Sequence, residues 1–343
     1  MEVIQKLKLR LQKENTKSVI IPHMAADGDA VGSSTAFCAV LKKAGIECTI
    51  VTPDDFPEYL KWMKGAEEAI SFWANPQECK RLIEEADLIF MLDHNGLKRE
   101  GGLEPIVAEA KAERIMIDHH PYPEEVDYLI SDTSASSTCE LVYLVTEQIW
   151  GKEIIDEDIA NSLYTGINTD TGGLSHNSSH PRIYRVIADL LELGLDKEYV
   201  YNRIFLNNTL SRLRLLGDTL LNKLTIHPEY PLAIIPITMA ELEAYDYKEG
   251  DLEGVVNIPL SIAYVEVSIL ITQRKDKVKL SFRSRDLTPV NKWASKFFNG
   301  GGHLNAAGGQ MELPINQVVD LVNQTADWFF KEEMKTDDEA VED

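Results

Sequence analysis

The sequence predicts an α/β chain: an N-terminal parallel-sheet domain, a smaller C-terminal α/β domain, and an active site in the cleft between them. Three observations predict it. Short apolar runs alternate with helical patterns through the first half of the chain, which is how βαβ units read. From Ser136 the pattern turns helical. After about Leu224 strand-like runs return. A length of 343 residues fits two domains, each large enough to bury its own core.

The elements follow in order. SVIIP, ECTIVT, ADLIFMLD and RIMID are short and apolar and read as buried strands. VGSSTAFCAVLKKAG and PQECKRLIEEA lie between them and read as helices. Ser137 and Glu140 have the spacing of a capping box at the start of CELVYLVTEQIW. DEDIANSLYTGI and PRIYRVIADLLELG follow, the latter with Pro181 and Gly194 where a helix starts and stops. TLSRLRLLGDTLLNKL reads as a connecting helix, and YPLAIIPI, SIAYVEVSILIT and KVKLSFRS as strands. The expected division is a catalytic domain over 1–190, a helical linker over 191–223, a second domain over 224–331 and a polar, acidic tail over 332–343, expected to be disordered.

Composition limits the function. The formal net charge of −22 repels long nucleic acid, so a general duplex binder is not expected. A small anionic substrate in a locally positive cleft remains compatible. The window from Ser261 to Gln310 supplies such charge, with eight Lys or Arg against three acids. No apolar stretch reaches the length of about 20 residues that spans a bilayer. The N-terminus is charged and amphipathic, without the apolar core of a signal peptide. The four cysteines form no CxxC pair. A cytoplasmic protein is therefore expected, with no membrane partner.

Chemistry is concentrated at predicted strand ends. PHMAADGDAVGS places His23, Asp27 and Asp29 directly after the first strand. Gly28 and Gly32 are read there as turn residues. Asp93 closes the strand ADLIFMLD, Asp118-His119-His120 closes RIMID, and Asp170 lies in TGINTDTGG. In open α/β sheets ligands bind beyond the carboxyl ends of the strands, so these groups should converge. Taken singly, HxxxDxD or a lone DHH reads more readily as helix-capping acids beside a structural histidine than as a metal site. Together they would repel one another unless divalent cations neutralised them. Mixed imidazole and carboxylate donors suit manganese or a similar first-row ion. A pair of such ions can activate water and stabilise charge at a phosphoryl centre.

A second constellation is FNGGGHLNAAGG. Gly300-Gly301-Gly302 before His303 suits close backbone approach to an anion. Ala306-Ala307-Gly308 is expected to open a helix whose N-terminus would favour phosphate. Arg283 and Arg285 alternate along KVKLSFRSR and should project to one face. Asn299 stands at the first position of the loop and tolerates positive φ.

These motifs together resemble the DHH phosphoesterase superfamily with its C-terminal DHH-associated domain, and within it the bacterial nano-RNase and pAp-phosphatase family (pAp is 3′-phosphoadenosine 5′-phosphate). The resemblance runs from about Lys17 to about Phe330. It implies two divalent metal ions, manganese by preference. His23, Asp27 and Asp93 would hold one, and Asp29, Asp93, His119 and Asp170 the other, with Asp93 shared. It implies that Asp118 orients the histidines, that His120 faces the scissile phosphate and that Arg99 holds phosphate. Arg283, Arg285, Gly301, Gly302 and His303 would grip the far end of the substrate. The activity implied is hydrolysis of oligonucleotides a few residues long, of pAp, or of both. Linear dinucleotides and RecJ-type single-strand cleavage are the alternatives within the family. A non-catalytic nucleotide-binding protein is the alternative outside it. A homodimer is compatible with the sequence. Three departures from the family pattern are Asn299 in place of the first glycine of the loop, His94-Asn95 after Asp93 and Leu174-Ser175-His176 after Asp170.

Overall fold

The computed structural model describes residues 2–333. The chain divides at Asn207 and Asn208 into two compact units. The expected tail falls mostly outside the described residues, but Glu332 and Glu333 continue the last helical turn, Phe329–Glu333.

The first unit opens with helix α1 (Glu2–Leu11) and is built on six parallel strands. They are β1 (Lys17–Pro22), β2 (Glu47–Thr52), β3 (Ile70–Ser71), β4 (Leu88–Leu92), β5 (Glu113–Asp118) and β6 (Tyr128–Ser131). Their spatial order is β3-β2-β1-β4-β5-β6. Helices cover both faces, which is why β4 is apolar along its whole length and β1 from Val19 onward. Phe90 and Leu92 face a core shared with α2 (Gly28–Lys43), α5 (Thr138–Trp150) and α6 (Glu157–Asp170). Ile89 and Met91 face the smaller core under α3 (Pro76–Glu85) and α4 (Glu104–Glu109). The strand order reverses between β1 and β4, so the ligand crevice of such a sheet lies at their carboxyl ends.

α7 (Pro181–Glu192) starts at Pro181 and is followed by Gly194 at φ 104°, the left-handed stop expected of it. The capping box at α5 is only half formed. Ser137 accepts from the Glu140 amide, but the Glu140 carboxylate turns back to the Ser136 amide and hydroxyl, both at 2.7 Å, and to Arg182. The segment read as one linker is divided: α8 (Lys197–Phe205) buries Val200 in the first core, and α9 (Leu210–Asp218) belongs to the second unit.

The second unit has a mixed sheet of β7 (Thr225–Ile226), β8 (Leu232–Ile237), β9 (Val267–Gln273), β10 (Val278–Ser284), β11 (Gly301–His303) and β12 (Ala306–Met311). The order is β11-β12-β10-β9-β8-β7, and only β8 and β9 run parallel. α11 (Val290–Phe297) and α12 (Ile315–Trp328) pack on one face. α10 (Met239–Ala244) and a 3-10 turn over Val255–Ser261 cover part of the other.

Two expectations are corrected here. The strand read from Ser261 begins only at Val267, because its neighbour β8 begins opposite that residue and offers no ladder partner earlier. Ala306-Ala307-Gly308 does not open a helix. It forms β12, paired with β10 and β11, since the edge backbone of β10 has its hydrogen bonds to satisfy. Asn299 does take positive φ, at 48°.

Candidate metal centre

Four segments bring their acids and histidines to the carboxyl ends of β1, β4 and β5 and to the last turn of α6. Asp27 caps α2, accepting from the amides of Asp29 and Ala30 at 3.0 and 3.1 Å. That cap rotates Asp29 into the first turn, fully buried, where it meets the N-terminus of α5. The Thr138 and Cys139 amides donate to its two carboxylate oxygens at 2.6 and 2.8 Å. Asp93 follows β4 with φ 63°, a conformation an aspartate tolerates better than most residues.

Three groups of potential ligand atoms converge within 4.8 Å: His23, Asp27 and Asp93; Asp29, His119 and Asp170; and Asp93, His119 and His120. Asp93 lies between the first two. Its Oδ2 is 3.6 Å from His23 Nε2, and its Oδ1 is 3.7 Å from His119 Nε2. His119 Nε2 is also 3.4 Å from Asp170 and 3.9 Å from Asp29. His23 Nε2 is 3.9 Å from Asp27. Gaps of this size suit donors arranged around an ion with bonds of about 2 Å.

The histidines are oriented for ligation. His23 Nδ1 donates to the Met24 carbonyl at 2.9 Å and His119 Nδ1 to the Ala135 carbonyl at 3.4 Å, so each Nε2 presents its lone pair to the carboxylates. His120 differs: its Nδ1 bonds Asp118 Oδ1 at 2.7 Å, which directs Nε2 away from that carboxylate.

The chain aligns with two family models: the N-terminal domain of the DHH family over residues 17–167 and the DHHA1 domain over 235–332. The bifunctional oligoribonuclease and PAP phosphatase NrnA of Thermus thermophilus is 30% identical over 332 residues, 92% of each chain. The chain belongs to the DHH family. The Bacillus subtilis protein of the same name is 24% identical over 84% of this chain and 87% of its own. A crystal structure of an exopolyphosphatase-related protein from Bacteroides fragilis superposes with a TM-score of 0.90 at 38% identity, covering 94% of this chain and 95% of that one. This DHH chain is accordingly a phosphoester hydrolase.

Electrostatics support cations at this centre of the DHH domain. Burial, then the charges of Asp29, Asp27, Asp170 and Asp118, push the Asp93 carboxyl well above the usual range. Burial also raises Asp29, against His119. Desolvation works against ionisation of Asp118 as well, but its bond to His120 and the charges of both histidines hold it low. So many carboxylates cannot all ionise together unless positive charge is supplied.

Sequence reasoning missed three contributors. Thr138 donates its hydroxyl to Asp93 Oδ1 at 2.9 Å, and its signal was the Ser-Ser-Thr run before a helix. We expect Thr138→Val, which keeps the shape, to weaken metal binding about tenfold; a metal titration with a wild-type constant would refute this. Gly166 lets α6 approach Asp29 so closely that a Cβ there would lie 2.5 Å from its Oδ1. A glycine inside a helical pattern was the available signal. The third is the burial of His94, a residue singled out in the sequence only as a departure from the family pattern: burial pushes its pKa down to about 4, and the neutral ring can donate to one of the Gly96 and Ile21 carbonyls on either side of it.

Gly28 and Gly32, read as turn residues, are helical instead. They allow close packing on α6: added Cβ atoms would fall 2.3 Å from Thr169 Oγ1 and 2.5 Å from the Ser162 carbonyl. Arg99 is exposed in the 3-10 turn over Leu97–Leu103. Its carbonyl accepts from the Met24 amide at 2.7 Å, and its charge acts on His23.

The residues expected at the far end of the substrate lie in the second unit. His303, Ala306 and Arg283 share one row across the sheet, and Gly301, Gly308 and Ser281 share another, two residues along. Gly302 is in the alternate register, opposite Ala307, at φ 141°. Arg283 Nη1 donates to the Phe282 carbonyl at 2.9 Å, and Arg285 reaches the Ala263 and Ile262 carbonyls at 3.4 Å.

Proposed function

We propose that this DHH chain hydrolyses oligonucleotides a few residues long, pAp, or both, with manganese bound in pairs. The observation that carries the proposal is Asp93, whose two oxygens face two separate histidine–carboxylate sets. The names of the Thermus and Bacillus relatives support the substrate class. In this reading His23, Asp27 and Asp93 hold one cation, and Asp29, Asp93, His119 and Asp170 the other. Two divalent cations supply Lewis acidity for activating water and neutralising charge at phosphorus.

The chain's own residues do the rest. Asp118 accepts from His120 Nδ1 and so favours the doubly protonated ring, whose Nε2 proton would be donated to a phosphoryl oxygen or to the leaving ester oxygen. Arg99 neutralises a phosphate oxygen beside His23. The amides of Thr138 and Cys139 fix Asp29 before substrate arrives. Arg283, Arg285, Gly301, Gly302 and His303 bind the distal part of the substrate. No described helix is long and apolar enough to cross a membrane, which is compatible with a cytoplasmic enzyme.

Gly301 provides a clean probe. A Cβ built there meets nothing within 4 Å, and its φ is not left-handed. We expect Gly301→Ala to fold and melt like wild type while KM rises about tenfold, because the methyl occupies the approach of the ligand to the backbone. An unchanged KM would remove Gly301 from the site.

The function is tested by a manganese-dependent time course on pAp, the dinucleotide pApA, a 24-mer RNA, pyrophosphate and polyphosphate. Turnover of pAp or pApA ahead of the rest is the expected result. Release of orthophosphate from pyrophosphate or polyphosphate alone would overturn the assignment.

A further inference from the structure

Tyr122 stands two residues beyond His120 and is 91% exposed, among the most exposed large side chains of the protein. It also adopts φ 59°, a left-handed conformation unfavourable for a bulky residue. A surface tyrosine without packing would relax to an ordinary backbone unless its surroundings fixed it.

They do fix it. Pro121 and Pro123 flank Tyr122 and lock their own φ angles. Asn95 Nδ2 donates to the Pro121 carbonyl at 2.7 Å, and the Glu124 amide donates to the Asn95 carbonyl at 2.8 Å. The Leu97 amide donates to Glu124 Oε2 at 3.2 Å. Gly96 packs so closely that a Cβ there would lie 2.5 Å from Glu124 Oε1. The loop after the histidines is thus clamped to the loop between Asp93 and Arg99. The clamp presents an aromatic ring to solvent from a Cα that lies two steps, at most about 7.6 Å, from His120 Cα. A ring pre-set in this way gives up little freedom when a flat group lies on it.

We propose that Tyr122 is the stacking platform for the nucleobase next to the scissile phosphate, a specificity-determining residue of the site. The inference rests on the functional reading above, that the substrate carries a base. Stacking tolerates every base, since each has a π-face. Tyr122 therefore selects nucleotides over simple phosphate esters without choosing among bases.

The test compares Tyr122→Ala, Tyr122→Phe and Tyr122→Gly in the full chain with manganese. Substrates are pAp and ribose 3,5-bisphosphate, which has the same phosphates and no base. AMP binding is measured separately by calorimetry. The expected result for Tyr122→Ala is a KM for pAp raised at least fivefold, with kcat within twofold and the KM for the base-free ester unchanged. AMP should bind at least fivefold more weakly, and Tyr122→Phe should restore both constants. Tyr122→Gly, which accepts positive φ, should melt no lower than wild type yet show the same KM defect. Equal KM changes for both esters, failure of Tyr122→Phe to restore binding, or no change on pAp would each overturn the proposal. If wild type hydrolyses neither pAp nor the dinucleotide pApA, the functional reading fails; the AMP titration then decides by itself whether Tyr122 holds a base.

Discussion

Asp93→Asn is expected to lower turnover by more than a hundredfold and, in the same molecule, to stabilise the metal-free protein. Loss of groups that merely orient a metal ligand costs about 10–100-fold, and Asp93 touches both ligand sets itself. Metal analysis should find fewer than two manganese ions per chain. The stability gain follows from linkage. The folded-state pKa of Asp93 is raised well above its ordinary value by burial and by four neighbouring carboxylates. Without metal, the folded protein therefore holds a proton that the unfolded chain releases. Its stability is fullest below the unfolded pKa, near 4, and is lost as pH rises toward the folded pKa, by about 1.4 kcal/mol per unit of separation. Asp29 contributes in the same direction. Buried His94 and His23, whose pKa values are lowered, pull the other way between pH 5 and pH 7, in wild type and variant alike, so the difference between the two proteins isolates Asp93. Urea unfolding in EDTA should show the stability gain of Asp93→Asn over wild type growing from pH 5 to pH 7. Saturating manganese should reverse that gain. A gain that shrinks as pH rises would contradict the argument.

Gly166→Ala is the second large effect. A methyl there would lie 2.3 Å from Cys139 Sγ, 2.5 Å from Asp29 Oδ1 and 2.9 Å from Asp29 Cα. The last contact is backbone, so no rotamer change relieves it. Either α2 and α6 separate or Asp29 leaves the amides of Thr138 and Cys139. Overpacking of this kind costs about 1–3 kcal/mol, which lowers the melting temperature of a unit this size by several degrees. Manganese affinity should fall with it. Gly217→Ala is the matched control: α9 is open there, with nothing within 4 Å of the added methyl. It should stabilise by about 0.4–1 kcal/mol. If both variants melted alike, the helix contact at Gly166 would not have the importance given to it.

The strands β1, β2, β4 and β5 were legible because both faces of the sheet are covered, which leaves continuous apolar runs. His23, Asp93 and Asp118-His119-His120 were legible because they close or directly follow those runs, whereas Asp170 ends a helix. Gly28, Gly32 and Gly166 were misread or missed for one reason: their role depends on a helix crossing, which local sequence does not specify. Ala306-Ala307-Gly308 was misread because small residues carry little pattern, and pairing with β10 decided their conformation. Thr138 escaped because its hydroxyl acts across 45 residues of chain, on Asp93. The conformation of Tyr122 is set by Asn95 and Glu124, contacts that composition does not reveal.

The donor atoms gathered around Asp93 come from four stretches of chain, the first at His23 and the last at Asp170. A nascent polypeptide therefore owns no complete paired pocket until the end of α6 has been synthesised and docked: the set of His23, Asp27 and Asp93 is present earlier, but the set of Asp29, His119 and Asp170 is not. Capture of both ions is tied to the last turn of α6, and a chain interrupted earlier lacks a donor for the second.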